Sequence, residues 1–100
     1  MTHKENSERS ELLDTLILVA QENPDTPTVD LHSLDVNEAR AVLDKFLDSQ
    51  FMAGDKVVQI VTGTGKGILS REMRDVLERS SYIKHYESFG PVIYSVLNNF

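Results

Sequence analysis

Three of the five glycines of this chain, Gly63, Gly65 and Gly67, sit at alternate positions directly behind the run Val57-Val58-Gln59-Ile60-Val61. A run that is apolar at both odd and even positions has no solvent side. It needs cover on both faces, or a central place in a sheet. The glycine loop Thr62-Gly63-Thr64-Gly65-Lys66-Gly67 then ends it. Behind the loop, Leu69, Met73, Val76 and Leu77 fall at helical spacing, with Arg71, Arg74 and Glu78 on the opposite side. Strand, glycine loop and helix in that order point to an α/β architecture.

The rest of the chain extends this pattern. Thr28-Val29-Asp30-Leu31-His32 starts on β-branched residues, alternates apolar with polar, and reads as an earlier strand. Asp35 is placed to cap the next helix, and Glu38, three residues on, completes a capping box. Val36, Ala39, Leu43, Phe46 and Leu47 mark its buried side, and Gly54 suits its end. Before the first strand, Ser10 caps a helix to about Gln21, whose apolar stripe is Leu12, Leu13, Leu16, Ile17, Val19 and Ala20. The segment Asn23-Pro24-Asp25-Thr26-Pro27 stops it, since proline removes a donor and restricts its predecessor. Ile83-Lys84-His85-Tyr86 and Val92 to Leu97 read as a closing pair joined through Ser88-Phe89-Gly90. The predicted fold is a βαβαββ mixed four-stranded sheet with helices, an α+β sandwich preceded by an extra N-terminal helix. Residues 1–9 read as a disordered lead-in, 10–27 as the N-terminal helix and linker, and 28–100 as one domain.

A chain of 100 residues supports one modest core. With no cysteine, disulfides and thiolate metal sites are excluded. The longest apolar run, Leu16 to Ala20, is far too short to cross a bilayer. The polar start carries no apolar signal region. The expected location is therefore intracellular, cytoplasmic or, in a eukaryote, nuclear, with no membrane partner. The net charge of −6 argues against a general nucleic-acid coat. Charge is unevenly spread, however. Residues 1–55 carry four basic and twelve acidic side chains, whereas 56–86 carry six basic and three acidic. Ordinary surface variation and a local phosphate-binding face both account for this.

Asp30 and His32 are two apart, the spacing that puts strand side chains on one face. They stand where the first strand turns into a helix, and the glycine loop stands where the second does. Parallel neighbours would bring both to the carboxyl edge of the sheet, where open α/β folds bind ligands. Glycine lets backbone N–H groups approach a ligand closely, and the helix N-terminus behind it favours phosphate. Lys66, Arg71 and Arg74 would extend that attraction. The loop is neither a P-loop nor a dinucleotide fingerprint, because Gly67 follows Lys66 and the glycines alternate. No small-molecule cofactor is therefore expected. Each feature also has a structural reading: Asp30 can orient a turn, His32 can be a satisfied strand-end group, and the glycines can serve only the turn. His3 is assigned no role, and His85 is read as a strand surface residue.

The stretch Val29-Asp30-Leu31-His32-Ser33-Leu34 resembles the Leu-Asp-x-His-Gly-Leu signature of the Smr (small MutS-related) domain family. Asn37-Glu38-Ala39 is similar to the start of the first family helix. Ile60 to Gly67 resembles the second signature, His-Gly-x-Gly or Thr-Gly-x-Gly, and Leu69 resembles the leucine beginning the next helix. Tyr82-Ile83-Lys84 and Gly90 to Leu97 are similar to the closing hairpin. The resemblance covers residues 28–97. It implies a sheet domain similar to the C-terminal domain of translation initiation factor three, binding of DNA or RNA, and in several members endonuclease activity. It also assigns catalytic roles to Asp30 and His32. The loop Thr62, Gly63, Thr64, Gly65, Lys66 and Gly67, with Arg71 and Arg74, would then bind nucleic acid. Ser33 stands where the family usually has glycine, and Thr62 where many members have histidine. The glycine-rich stretch of the last hairpin is shortened to Ser88-Phe89-Gly90.

Three function classes stay open on the sequence. The first is a nuclease, in which histidine, the side chain that ordinarily titrates near neutral pH, shuttles a proton. The second is a non-catalytic DNA- or RNA-binding module. The third is a protein-interaction domain, for which the acidic helix 10–21 is the one positive feature. One carboxylate and one imidazole are too few ligands to demand a metal, so no metal site is assigned and a divalent ion such as Mg²⁺ stays an option. The oligomeric state is not readable.

Overall fold

The computed structural model of the chain describes residues 2–3, 10–65 and 67–99. The elements are β1 (Thr2–His3), α1 (Ser10–Glu22), β2 (Thr28–Asp30), α2 (Val36–Met52), β3 (Val57–Val61), α3 (Ile68–Arg79), β4 (Ile83–Phe89) and β5 (Val92–Leu97). The sheet order is β1-β4-β5-β3-β2. Its four longer strands make the expected mixed sheet: β2 and β3 are parallel, while β5 runs antiparallel to both β3 and β4. Thr2–His3 adds a two-residue antiparallel edge beside Glu87 and Tyr86. Of the remaining lead-in, residues 1 and 4–9 lie outside the described residues.

Local chemistry explains the element ends. The Asp35 carboxylate accepts the Glu38 N–H at 2.8 Å, and the Glu38 carboxylate accepts the Asp35 N–H at 3.2 Å. This reciprocal pair satisfies two otherwise orphaned donors at the start of α2. The hairpin is tighter than the sequence reading. Ser88 and Phe89 continue β4, Phe89 pairs with Val92, and Gly90-Pro91 alone make the turn. Gly90 sits at φ +63°, which a two-residue hairpin favours.

Strand alternation distributes the core over both faces of the sheet. Val58 and Ile60 of β3, with Ile93 and Leu97 of β5, meet Ala39, Leu43 and Leu47 of α2 and Met73 and Leu77 of α3. On the other face Tyr94 and Val96 pack against Leu13, Ile17 and Ala20 of α1, with Val57 and Val92 partly buried beside them. The nearly all-apolar β3 is thereby covered on both sides.

Two sequence expectations need correction. The buried stripe of α1 is narrower than its periodicity implied, because Leu12 and Val19 are 55% and 61% exposed. A single helix lying on a sheet buries only the residues directly beneath its axis. His85 is not a surface residue but fully buried: it sits opposite Val96, which packs on α1, and its Nε2 lies 3.6 Å from Asp14 of that helix. Among the described residues, no helix is long and apolar enough to cross a membrane.

Candidate functional site

The parallel register of β2 and β3 sets Asp30 opposite Val61. The Leu31 N–H donates to the Val61 carbonyl at 2.7 Å, carrying the pairing one step further. Both chains thus leave the sheet at the same edge and the same level. The next residues meet there: a Cβ built on Gly63 would lie 2.8 Å from the Cβ of His32. Gly63 is also at φ +80°, so contact and backbone both call for glycine.

Asp30 and His32 form a bonded pair. His32 Nδ1 lies 2.6 Å from Asp30 Oδ1, and the His32 backbone N–H donates to the same oxygen at 3.1 Å. An ionised carboxylate only accepts, so this contact places a proton on Nδ1. The ring hydrogen bond, followed by the backbone one, holds the Asp30 carboxyl below its ordinary 3.8. Both side chains stay open to solvent, at 60% for His32 and 54% for Asp30. Nε2 of His32 has no hydrogen-bond partner among the described residues.

The loop is clamped from beneath. Thr62 is buried, and both its N–H and its hydroxyl donate to the Pro91 carbonyl, at 2.8 and 3.1 Å. Thr62 therefore anchors the loop to the hairpin turn and presents no hydroxyl to a ligand. Gly65 and Gly67 have φ of +121° and +78°. Gly67 is the N-cap of α3 and supplies no capping side chain. Among the described residues, no side chain caps the first N–H groups of α3, which leaves the positive helix end available to an anion. Lys66 lies outside the described residues.

A cleft of about 490 Å³ opens between this loop and the hairpin, lined by Gly63, Thr64, Gly65, Gly67, Ser70, Arg74 and Ser88, with Gly90 and Pro91 at its end. Arg74 enters it, with Nε donating to the Ser70 carbonyl at 3.3 Å. Arg71 is outside the lining, 68% exposed and 4.0 Å from Glu72. The structure therefore lines the cleft with Gly63, Thr64, Gly65, Gly67 and Arg74, sets Asp30 and His32 beside it through the Gly63–His32 approach, leaves Arg71 outside and puts Thr62 underneath. Sequence reasoning missed Ser70 and Ser88. Ser70 lies three residues past Gly67 on the inner side of α3, and Ser88 shares the strand parity of Tyr86, so spacing alone could have raised both. A larger hollow, about 820 Å³, lies between α2 and α3. Its lining mixes Asp44, Asp48 and Asp75 with Arg40, Lys45 and Arg79, and holds none of the motif residues.

A mixed sheet whose one parallel pair delivers an Asp-x-His pair and a glycine loop to the same edge defines a small α/β domain with its site at the carboxyl ends of its strands. Residues 29–91 match the Smr domain family, and the chain belongs to that family. It is 41% identical over 59 residues to Endonuclease MutS2 of Clostridium kluyveri, covering 59% of this chain and 8% of that protein. It is likewise 41% identical over 61 residues to Endonuclease MutS2 of Halothermothrix orenii, covering 61% of this chain and 8% of that one. The chain thus spans less than a tenth of the length of the curated relatives it matches. The crystal structure of the Smr domain of Thermus thermophilus MutS2 has the same fold, with a TM-score of 0.70 at 24% identity, over 73% of this chain and 99% of that one. Helix α1 lies before the matched residues.

Proposed function

We propose that this Smr domain binds DNA or RNA at the β2–β3 edge and hydrolyses a phosphodiester bond there, as an endonuclease. The observation that carries the reading is the 2.6 Å contact between Asp30 and His32 beside the glycine loop. With Nδ1–H held by Asp30, the neutral ring presents the Nε2 lone pair outward. It can take a proton from an attacking water as the new P–O bond forms. It can then return that proton to the oxygen that leaves as the old ester bond breaks. Asp30 fixes the tautomer and stabilises the transient imidazolium. Loop amides, the α3 N-terminus and Arg74 face the cleft where the non-bridging phosphate oxygens would lie, and charge developing there would be stabilised by donors already in place. The name of the relatives, Endonuclease MutS2, supports the reaction class.

Among the described residues, no third carboxylate or imidazole joins Asp30 and His32. The pair does not make a metal cage by itself. Mg²⁺ is accordingly an assay variable.

The test uses single-stranded, duplex and branched DNA and RNA, scored for binding and cutting with and without Mg²⁺. The wild type cuts at least one of them. His32→Ala slows cutting by about a hundredfold or more, the usual worth of positioned acid–base help. Asp30→Asn slows it too, and both variants keep binding. Unchanged cutting per folded molecule in both variants overturns the catalytic assignment. A second reading, binding without cutting, draws on Thr62, a buried anchor where many family members are expected to carry histidine. Binding by a wild type that cuts nothing decides for it.

A further inference from the structure

We propose that Asp14, His85 and Glu87 form a binding site for a divalent transition-metal ion of the zinc type, between α1 and β4. The site lies on the face of the sheet covered by α1 and is separate from the Asp30–His32 edge. His85 pairs with Val96 and Glu87 with Tyr94, the two β5 residues that pack on α1. Asp14 comes from α1 itself, next to Leu13.

Geometry is the first support. His85 Nε2 lies 3.1 Å from Glu87 Oε2 and 3.6 Å from Asp14 Oδ1, and the three ligand atoms lie within 4.8 Å of one another. A tetrahedral ion with bonds of about 2.0–2.2 Å holds its ligands roughly 3.3–3.6 Å apart. The two separations from His85, 3.1 and 3.6 Å, lie close to that spacing, and a small cation needs only modest adjustment of the carboxylates to sit among the three.

Burial is the second. The His85 side chain is fully buried and that of Glu87 is 15% exposed. Nδ1 of His85 has no partner among the described residues, so the two carboxylates at Nε2 are the only polar groups compensating the ring. Two carboxylates converging on one buried imidazole make a locally anionic site, which a cation at their common centre neutralises. Access is the third. A hollow of about 290 Å³, lined by Asp14, Thr15, Leu18, Gln21, Glu87 and Phe89, opens beside the ligand atoms and leaves room for water as a fourth ligand. One imidazole with two carboxylates suits zinc and its first-row neighbours better than Mg²⁺ or Ca²⁺, which prefer all-oxygen sets.

The probe is Zn²⁺ alone, titrated into the full chain carrying His3→Ala, which leaves His32 and His85 as its two histidines. Calorimetry should give one ion per chain, thermal denaturation a Zn²⁺-dependent rise in Tm, and long-range ¹H–¹⁵N spectra a shift at His85 Nε2. Even partners that only orient a ligand are worth about 10–100-fold in metal affinity, so losing a direct ligand should cost at least about tenfold. Asp14→Asn and Glu87→Gln should each do so, with metal-free Tm near that of the parent; Asp14 is half exposed and tolerates the change. The Asp30→Asn/His32→Ala double variant should bind Zn²⁺ like the parent. The proposal is overturned if no Zn²⁺ binds, if binding survives both Asp14→Asn and Glu87→Gln undiminished, or if only the Asp30/His32 variant loses it.

Discussion

Two backbone positions in the left-handed region flank the Asp30–His32 pair, and only one of them is glycine. Gly63 at φ +80° touches His32, while Ser33, the residue after His32, sits at φ +73° with a side chain. The two predict opposite outcomes. Gly63→Ala adds a Cβ 2.8 Å from that of His32 and an unfavourable φ, and should cost about 1–3 kcal/mol of stability while displacing the imidazole and, on the proposed function, slowing cleavage. Ser33→Gly relieves a left-handed strain of about 1–2 kcal/mol, partly offset by the looser unfolded chain. Its net gain, up to about 1 kcal/mol, would raise Tm by roughly 4–8 °C. Melting both variants beside wild type checks the signs, and a lower Tm for Ser33→Gly refutes the strain. Asp30 gives a pH prediction. Its folded value lies below 3.8, so the bonded carboxylate persists at every pH above 3.8. Its contribution to stability is fully present there and is lost only as pH falls through the lower folded value. A carbon-detected NMR titration should find its midpoint below 3.8 in wild type and nearer 3.8 in His32→Ala.

Helix α1 shows how one element can be both core and surface. Ile17 is 2% exposed and its neighbour Leu18 is 62% exposed. Ile17→Ala removes packing against Tyr94 and Val96 and should cost about 2–5 kcal/mol, whereas Leu18→Ala should stay within about 0.5 kcal/mol of wild type. Denaturant unfolding of the two variants decides whether α1 belongs to the cooperative unit. Equal, small effects would mean that the helix detaches before the sheet unfolds. The capping box of α2 needed only Asp35 and Glu38, three residues apart, and was legible directly. The exposure of Leu12 and Val19 was not, because a helical apolar stripe does not say how wide a surface it will meet.

Across the molecule, the basic excess of residues 56–86 resolves into groups with different surroundings. Arg79 lies 3.4 Å from Asp75 on its own helix, while Glu72 is held by Arg40 of α2 at 2.7 Å. Arg74 enters the cleft and Arg71 stands on its rim. If nucleic acid binds there, Arg74→Ala and Arg71→Ala should each weaken binding and lower the salt slope by about one, and Lys66→Ala should act alike from within the loop. Arg79→Ala, on the side of α3 that lines the other hollow, should leave the slope unchanged. A fluorescence titration over a range of salt checks this; equal effects of all four would mean a diffuse field rather than a bounded cleft.

Sequence alone determined the order of elements from α1 onward, the cap of α2, the glycine loop and the Asp30/His32 motif. Each depends on residues within a few positions of one another, where backbone geometry and hydrogen bonding act directly. The relation between the two motifs already depended on tertiary structure: parallel pairing of β2 with β3 brings Gly63 against His32. Thr62 could be read as a ligand until the hairpin turn supplied the Pro91 carbonyl that binds it. His85 was read as exposed because periodicity reports that a strand has two faces, not what covers each. The fold laid α1 over one of them, and in doing so brought Asp14 to His85 and Glu87 from the far end of the chain. Contacts between distant segments arise from how sheet and helices pack, and no local pattern encodes them.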